Sequence, residues 1–394
     1  MIVEATLVLL AALGHLAICF AIYNRIHVRG LPLPWEGLVT PVLGTIILVV
    51  PAAYFVQYLM DGRLVSERLA AGQFTPATIY LAVCLAAGLV ALGSVLLRPA
   101  PFRPSRRLVS NHTAAHNLAT ESRAGGSGSS LWAALARLPG NQILDLSVHE
   151  KTIEIPGLPD ELEGLCIAHL SDLHITGRIG RGFFDRVIAE TMRMEPDLIA
   201  VTGDILDNAD CLDWLPQTLG RLSAPGGVYF LLGNHDFRNQ PDQTRRTLSA
   251  CGLIDVGNRL HTAEVRGHKV LIAGNEAPWG QGRPPREIPA NSDHPFALRL
   301  ALAHGPDQLP WARRLGAELM LAGHTHGGQI RLPLWGALTS PGVRGSRYDA
   351  GVFFDEPPIM HVSRGLSCSI PLRLNCPPEL SKLVLRRGWG NDER

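Results

Sequence analysis

Charge is scarce in this sequence. Lysine, arginine, aspartate and glutamate make up 18% of it, below the roughly 25% of soluble domains, and the mean hydropathy is +0.12. Both values point to a membrane portion. Neither sign of charge is in excess, with 36 basic residues against 35 acidic ones. That balance removes a global electrostatic case for nucleic acid, and no nucleic-acid partner is expected. Paired cysteines are also missing. The seven cysteines (Cys19, Cys84, Cys166, Cys211, Cys251, Cys368 and Cys376) contain no CxxC. An odd, scattered set argues against a disulfide framework and suits a reducing compartment. Finally, Met1 to Thr6 carry no lysine or arginine. A secretory signal peptide starts with positive charge, so the first apolar run reads as an uncleaved span.

Long apolar runs are plentiful instead. Val3 to Tyr23 is interrupted only by Glu4 and His15, while Leu38 to Met60 and Pro76 to Leu97 contain no charge. Each is about 20 residues, enough to cross a hydrocarbon core as a helix. The expectation is a membrane segment over 1–98 with three transmembrane helices (about 3–23, 38–60 and 76–97). Arg25 and Arg29 lie in the first loop, Arg63 and Arg68 in the second, and Arg98, Arg103, Arg106 and Arg107 follow the third run. With an odd number of crossings, the positive-inside rule puts the C-terminal part in the cytoplasm, on a multi-pass protein of the inner (plasma) membrane. His15 is expected to hydrogen-bond a neighbouring helix.

Residues 99–140 read as a flexible linker. Pro99, Pro101 and Pro104 break helix, and Gly125 to Ser130 is a Gly/Ser tract. Leu131, Trp132, Leu135 and Leu138, with Arg137, have helical apolar spacing. Two readings stay open for them: lying on the bilayer surface or packing on the globular domain.

Residues 141–388 change texture. Leu165 to Leu170 ends in Ser-Asp, Asp197 to Val201 in Thr-Gly-Asp, and Gly227 to Leu232 in Gly-Asn-His-Asp; Phe183 to Met194 has helical periodicity. A second series of strand-like runs covers Lys269–Ala273, Leu298–Ala303, Leu319–Leu321 and Ile359–Val362. Strand, polar loop, helix, strand is α/β grammar. In open α/β sheets, ligands sit beyond the carboxyl ends of the strands.

Five motifs fall just after such runs. They are Ser171-Asp172-Leu173-His174, Gly203-Asp204, Gly233-Asn234-His235-Asp236, Ala303-His304-Gly305 and Gly323-His324-Thr325-His326. Carboxylate, amide and imidazole ligands, with no cysteine among them, suit Mn, Fe, Zn or Mg. Their order and spacing resemble the calcineurin-like metallophosphoesterase superfamily. Gly323 to Leu332 (GHTHGGQIRL), Val362 to Leu366 (VSRGL) and Asn375 to Leu380 (NCPPEL) are similar to its YkuE/YaeI-type bacterial branch. The resemblance runs from about Gln142 to Arg387. One departure is Gly305, where relatives frequently carry asparagine.

The resemblance implies two face-to-face sheets flanked by helices, an αββα sandwich, and a centre for two divalent metal ions, manganese favoured. Asp172 and His174 would bind the first metal, joined by His326. Asp204 would bridge both. Asn234, His304 and His324 would bind the second. The nucleophile would be a metal-bound hydroxide, so no side-chain nucleophile is required. His235 would be the general acid, with Asp236 orienting it.

Several residues are read from position alone. Asp207 either bonds a metal ligand or caps the next helix. Arg331, Arg344, Arg347 and Arg364 flank the metal motifs, and arginine suits bidentate phosphate recognition. His169 is strand-embedded core. His112, His116, His149, His261, His268, His294 and His361 are structural or solvated.

The expected function is a membrane-anchored dinuclear-metal phosphohydrolase that cleaves a phosphodiester or pyrophosphate. Anchoring at a bilayer is consistent with a lipid-linked substrate. A nucleotide or cell-wall phosphodiesterase is the rival within the class. A non-catalytic, metal-stabilised membrane binding module is the rival outside it.

Overall fold

The computed structural model describes residues 2–28, 33–61, 65–72, 75–96, 105–123, 130–288, 296–333, 336–337, 340–342 and 345–388. The chain forms two compact units, Met1–Phe102 and Arg103–Arg394.

The first unit is helical: α1 (Ile2–Val28), α2 (Leu33–Asp61), α3 (Val65–Ala70) and α4 (Pro76–Leu96). Among the described residues, Ile2–Tyr23 and Pro76–Ser94 are long and apolar enough to cross a membrane, whereas the apolar stretch in α2 is Pro41–Gln57. At 1.5 Å per residue that stretch rises roughly 25 Å, short of the roughly 30 Å hydrocarbon core. The expected three spans are therefore corrected to two candidate spans, and the argument from odd-numbered crossing loses its basis. Helices α1 and α4 touch backbone to backbone. A Cβ on Gly14 would stand 1.7 Å from the Cys84 carbonyl oxygen, and one on Gly88 would stand 2.2 Å from that of Leu10. Small residues at a crossing allow this approach between apolar helices. His15 Nδ1 lies 2.8 Å from Tyr80 Oη across the same pair, the neighbouring-helix bond expected for it.

The second unit is α/β, with two mixed sheets. In chain order its first strands are β1 (Leu108–Asn117), β2 (Asp145–Pro156), β3 (Leu165–Leu170), β4 (Leu198–Thr202), β5 (Val228–Leu231) and β6 (Ile254–Asp255). Then come β7 (Leu260–Val265), β8 (His268–Asn275), β9 (Leu298–Ala303) and β10 (Leu319–Ala322). A short hairpin, β11 (Arg331–Leu332) with β12 (Gly336–Ala337), precedes β13 (Gly351–Phe353), β14 (Ile359–Val362) and β15 (Glu379–Gly388). The first sheet has the order β1-β2-β15-β3-β4-β5-β6 and the second β13-β14-β10-β9-β8-β7. Strands β3 to β6 run parallel, as do β8, β9, β10 and β14.

Alternation along each strand builds the layers. Ile167, Leu198, Ala200 and Leu231 face Ile272, Leu300, Leu302 and Leu319 in one apolar cluster between the sheets. Ala168, Leu170, Ile199 and Val201 point the other way, into a cluster with Phe183, Phe184, Val187 and Ile188. Those four residues are the helical stripe of α6 (Arg181–Arg193), spaced as i, i+3 and i+4 positions should be. Trp311, Ala312 and Leu315 cover the outer face of the second sheet. The layering is helix, sheet, sheet, helix.

The stretch 99–140, expected as a flexible linker, contains folded elements. Its residues 108–117 form β1, paired antiparallel with β2. Arg107 is buried, its Nε donating to the Asp355 carbonyl at 3.0 Å and its Nη1 3.5 Å from Glu154. It belongs to the folded domain. Arg98, Arg103 and residues 124–129 of the Gly/Ser tract lie outside the described residues. Helix α5 (Ser130–Ala136) lies against the domain through Trp132, whose ring sits 4.1 Å below the Arg178 guanidinium.

Candidate metal centre

The loops at the carboxyl ends of parallel strands in both sheets meet at one place. Asp172 and His174 follow β3, Asp204 follows β4, Asn234 follows β5, His304 follows β9, and His324 and His326 follow β10. Each of these side chains is buried. Five of these residues hold left-handed backbone: Asp172 (φ 52°), His174 (41°), Asp204 (50°), His324 (69°) and His326 (52°). Such conformations disfavour residues with a Cβ and persist where the surroundings over-determine them, as at functional sites. Gly323 lets the β10 loop close on the β3 loop. A Cβ there would stand 1.8 Å from Ser171 Oγ and 2.3 Å from Asp172 Oδ2.

Two of the three candidate ligand groups among the described residues are built from these side chains, the third being His174 with Asp207 and His235. Asp172, His174, Asp204 and His326 form one, and Asp204, His304 and His324 the other; within each, the ligand atoms lie within 4.8 Å of one another. Asp204 belongs to both. Asn234 Oδ1 adjoins the second group, 3.1 Å from His304 Nε2.

Ring orientation shows what this centre fits. His304 Nδ1 faces the Thr202 carbonyl at 2.8 Å, and His326 Nδ1 faces the Ser367 carbonyl at 3.2 Å. His174 Nδ1 faces both Asp207 oxygens at 3.0 Å. Carbonyls and carboxylates only accept, so each Nδ1 carries the proton and, in neutral rings, Nε2 carries a lone pair. The Nε2 atoms of His174 and His326 then lie 3.1 Å apart, and His304 Nε2 lies 3.2 Å from Asp204 Oδ2. With the rings neutral, acceptors would converge on acceptors in a buried site. Divalent cations satisfy that arrangement, and the donor set fits them.

The electrostatics agree. Burial lowers the proton affinity of His174, but Asp207, Asp204 and Asp172 outweigh it and raise its pKa to about 9. His304 is likewise lowered by burial and raised to about 9 by Asp204, Asp172 and the Thr202 carbonyl. Burial pushes Asp204 up, yet His304, His235 and His174 hold it well below the usual carboxylate range. Burial and the positive His174 and Arg373 keep His326 well below its ordinary value. The acids that hold protons on these imidazoles would hold cations in their place.

His235 sits beside the centre, with side-chain exposure of 25%. Its ring packs edge-on to His174 at 4.6 Å between centroids. The expected orienter, Asp236, is corrected. Its carboxylate accepts Ile205 N (2.9 Å), Leu206 N (2.8 Å) and Gly233 N (2.8 Å), tying the β4 and β5 loops together. Burial, then Asp204, raise it to about 7. Asp207 takes the orienting place, 3.2 Å from His235 Nδ1. Of its two readings, bonding to a candidate ligand is the one observed.

The arginines divide. Arg331 donates to the Gly327 carbonyl (2.8 Å) and Asp349 (2.7 Å), holding its own loop. Arg364 Nε stands 3.6 Å from Glu379. Arg347 is exposed, and Arg344 lies outside the described residues. Sequence reasoning missed three residues. Ser369 Oγ donates to Asp207 Oδ2 at 2.6 Å and lies 3.4 Å from His235 Nδ1. Arg373 is fully buried behind His326 and donates to the Ser367 carbonyl at 2.5 Å. The Trp279 ring lies 4.8 Å from that of His324. None of the three falls in a motif; only topology brings them here.

Comparison with known proteins agrees with the centre. A family model described as calcineurin-like phosphoesterase matches residues 166–328. The metallophosphoesterase YkuE of Bacillus subtilis is 31% identical over 245 residues, which cover 60% of this chain and 84% of the relative. The chain belongs to the calcineurin-like phosphoesterase family. Phosphodiesterase YaeI of Escherichia coli is 32% identical over 228 residues, covering 56% of this chain and 81% of that protein. The UDP-2,3-diacylglucosamine pyrophosphatase LpxG of Chlamydia muridarum is 23% identical over 274 residues, covering 56% and 83%. This calcineurin-like phosphoesterase is a metal-dependent hydrolase with a buried His/Asp cluster consistent with a dinuclear site.

Proposed function

We propose that this chain hydrolyses a phosphodiester or pyrophosphate with two divalent metals and does so at a membrane. Asp172, His174, His326 and Asp204 would hold one metal, and Asp204, Asn234, His304 and His324 the other. The observation that carries the reading is Asp204, which both ligand groups share. Two cations held there would neutralise phosphoryl charge and lower the pKa of a coordinated water. His235, partly exposed and oriented by Asp207, is placed to donate a proton to the leaving oxygen. Ser369 and Arg373 fix the rings from behind.

The substrate class follows the relatives, one named a phosphodiesterase and another a pyrophosphatase of an acylated sugar nucleotide. Both names describe a phosphorus atom with a substituent on each side. The two apolar helices favour a lipid-linked substrate. Paired reporters fused after Arg387, one that works only in the cytoplasm and one that works only when exported, assign the side of the catalytic unit.

The central test is turnover. Purified full-length protein should hydrolyse bis(p-nitrophenyl) phosphate with added Mn²⁺, lose activity to a chelator and regain it on metal return. No turnover with Mn²⁺, Fe²⁺, Zn²⁺ or Mg²⁺ would overturn the proposal.

A further inference from the structure

Trp279 stands at the edge of the centre and is half-buried. Its ring centroid is 4.8 Å from that of His324 and 5.5 Å from that of His304. A rigid turn sets its position. Trp279 N and Gly280 N both donate to the Glu276 carbonyl, at 3.0 and 2.8 Å. The Glu276 side chain, 1% exposed, accepts Leu232 N at 2.7 Å and Arg245 Nη2 at 2.5 Å. Leu232 opens the loop that carries Asn234 and His235, so the indole is registered to that loop. Gly305 completes the arrangement. A Cβ there would stand 3.6 Å from Trp279 Cη2 and 3.8 Å from His324 Cδ2. A side chain longer than alanine would crowd the indole against His324.

His235 packs on the first ligand group through His174, and Trp279 packs on the second through His304 and His324. The two rings flank the centre at different ends. A phosphorus seated between the groups would have its leaving oxygen toward His235 and another substituent toward Trp279. A monoester has only oxygen to offer there, whereas a diester has a second organic group. The geometry points to Trp279 as a specificity-determining residue that stacks on a flat, unsaturated non-leaving substituent of a phosphodiester, an aryl ring or a nucleobase. The inference rests on the phosphohydrolase reading and narrows its substrate class. Aromatic faces gain from offset stacking beyond the area they bury.

The test compares bis(p-nitrophenyl) phosphate with methyl p-nitrophenyl phosphate, which shares the leaving group but has no second ring. In Trp279→Ala, the preference in kcat/KM for the first over the second should fall roughly 3- to 10-fold. Trp279→Phe, still flat, should keep most of it, and Trp279→Leu, apolar but not flat, should lose it. Metal content is measured alongside; if Trp279→Ala loses metal, the Phe and Leu variants decide. A second readout needs no turnover: bis(p-nitrophenyl) phosphate should quench the fluorescence of metal-loaded full-length protein, and less so in Trp279→Phe. Quenching without hydrolysis would sink the phosphohydrolase reading and keep the stacking site. Hydrolysis with an unchanged preference in the metal-loaded variants would sink the stacking site alone.

Discussion

The Asp207 carboxylate stands 3.2 Å from His235 Nδ1 while it also accepts His174 Nδ1 at 3.0 Å. One acid therefore orients the candidate proton donor and a candidate ligand together. His235→Asn should lower kcat by about 10²–10⁴-fold and leave two metals per chain. The loss should shrink as the leaving group becomes more acidic and needs less protonation. A series of aryl esters, with elemental analysis of the variant, checks both points. Equal loss across leaving groups contradicts the acid role.

Asp207→Asn should act on both neighbours. Loss of such a supporting carboxylate typically weakens metal affinity about 10- to 100-fold. Metal titration by calorimetry should show that weakening, and kcat should stay low even at saturating metal. Asp236→Asn differs, because its carboxylate holds three backbone N–H groups. Its main effect should be a lower melting temperature. Wild-type metal affinity in Asp207→Asn would refute the orienting role.

Asp204→Asn removes the carboxylate shared by both ligand groups. An amide offers one oxygen and no negative charge. Metal content should drop from two per chain to one or none. Retention of both would show that Asp204 is not a bridge.

A pH effect should arise away from the centre. His361 Nδ1 lies 2.9 Å from His169 Nδ1, its Nε2 lies 2.9 Å from Lys151 Nζ and 3.5 Å from Glu379, and Ser381 Oγ is 3.5 Å away. Burial first, then Lys151, lower its pKa to about 4 against the pull of Glu379. The folded pKa is thus depressed below the unfolded one. The associated stability is complete above about pH 6.5 and is lost as pH falls through about 4, since only the unfolded chain takes the proton in that window. The effect is on the order of 3 kcal/mol. Urea unfolding at pH 7, 5.5 and 4 should show that slope, and His361→Gln should flatten it. An equal slope in both proteins would remove His361 as the cause.

The strands that carry ligands were legible because they are buried on both faces. Leu165–Leu170, Leu298–Ala303 and Leu319–Leu321 read as apolar runs and lie in β3, β9 and β10. Strand β1 left no such trace. Most of its residues are exposed, so no apolar period separates LVSNHTAAHN from a linker. Strand β15 carries Lys382, Arg386 and Arg387 among its apolar residues, which masks a strand central to the first sheet. At the centre, ligand types and their order along the chain were readable. The partners behind them were not. Asp207 against Asp236 is a choice of loop geometry, and both lie near His235 or Asp204 in sequence. Arg373 and Trp279 reach the site through tertiary contacts that no local spacing encodes.

Strand β15 lies between β2 and β3 in the first sheet. While the ribosome makes everything from Ser171 to Pro378, the strand leading into Asp172 and His174 has an empty place on one flank. The hydrolytic centre cannot be finished until Gly388 has been added and the exit tunnel cleared. If α1 and α4 insert as spans, as proposed above, anchorage precedes competence, and a nascent chain held at the bilayer carries an open, unpaired sheet edge until translation has passed that point.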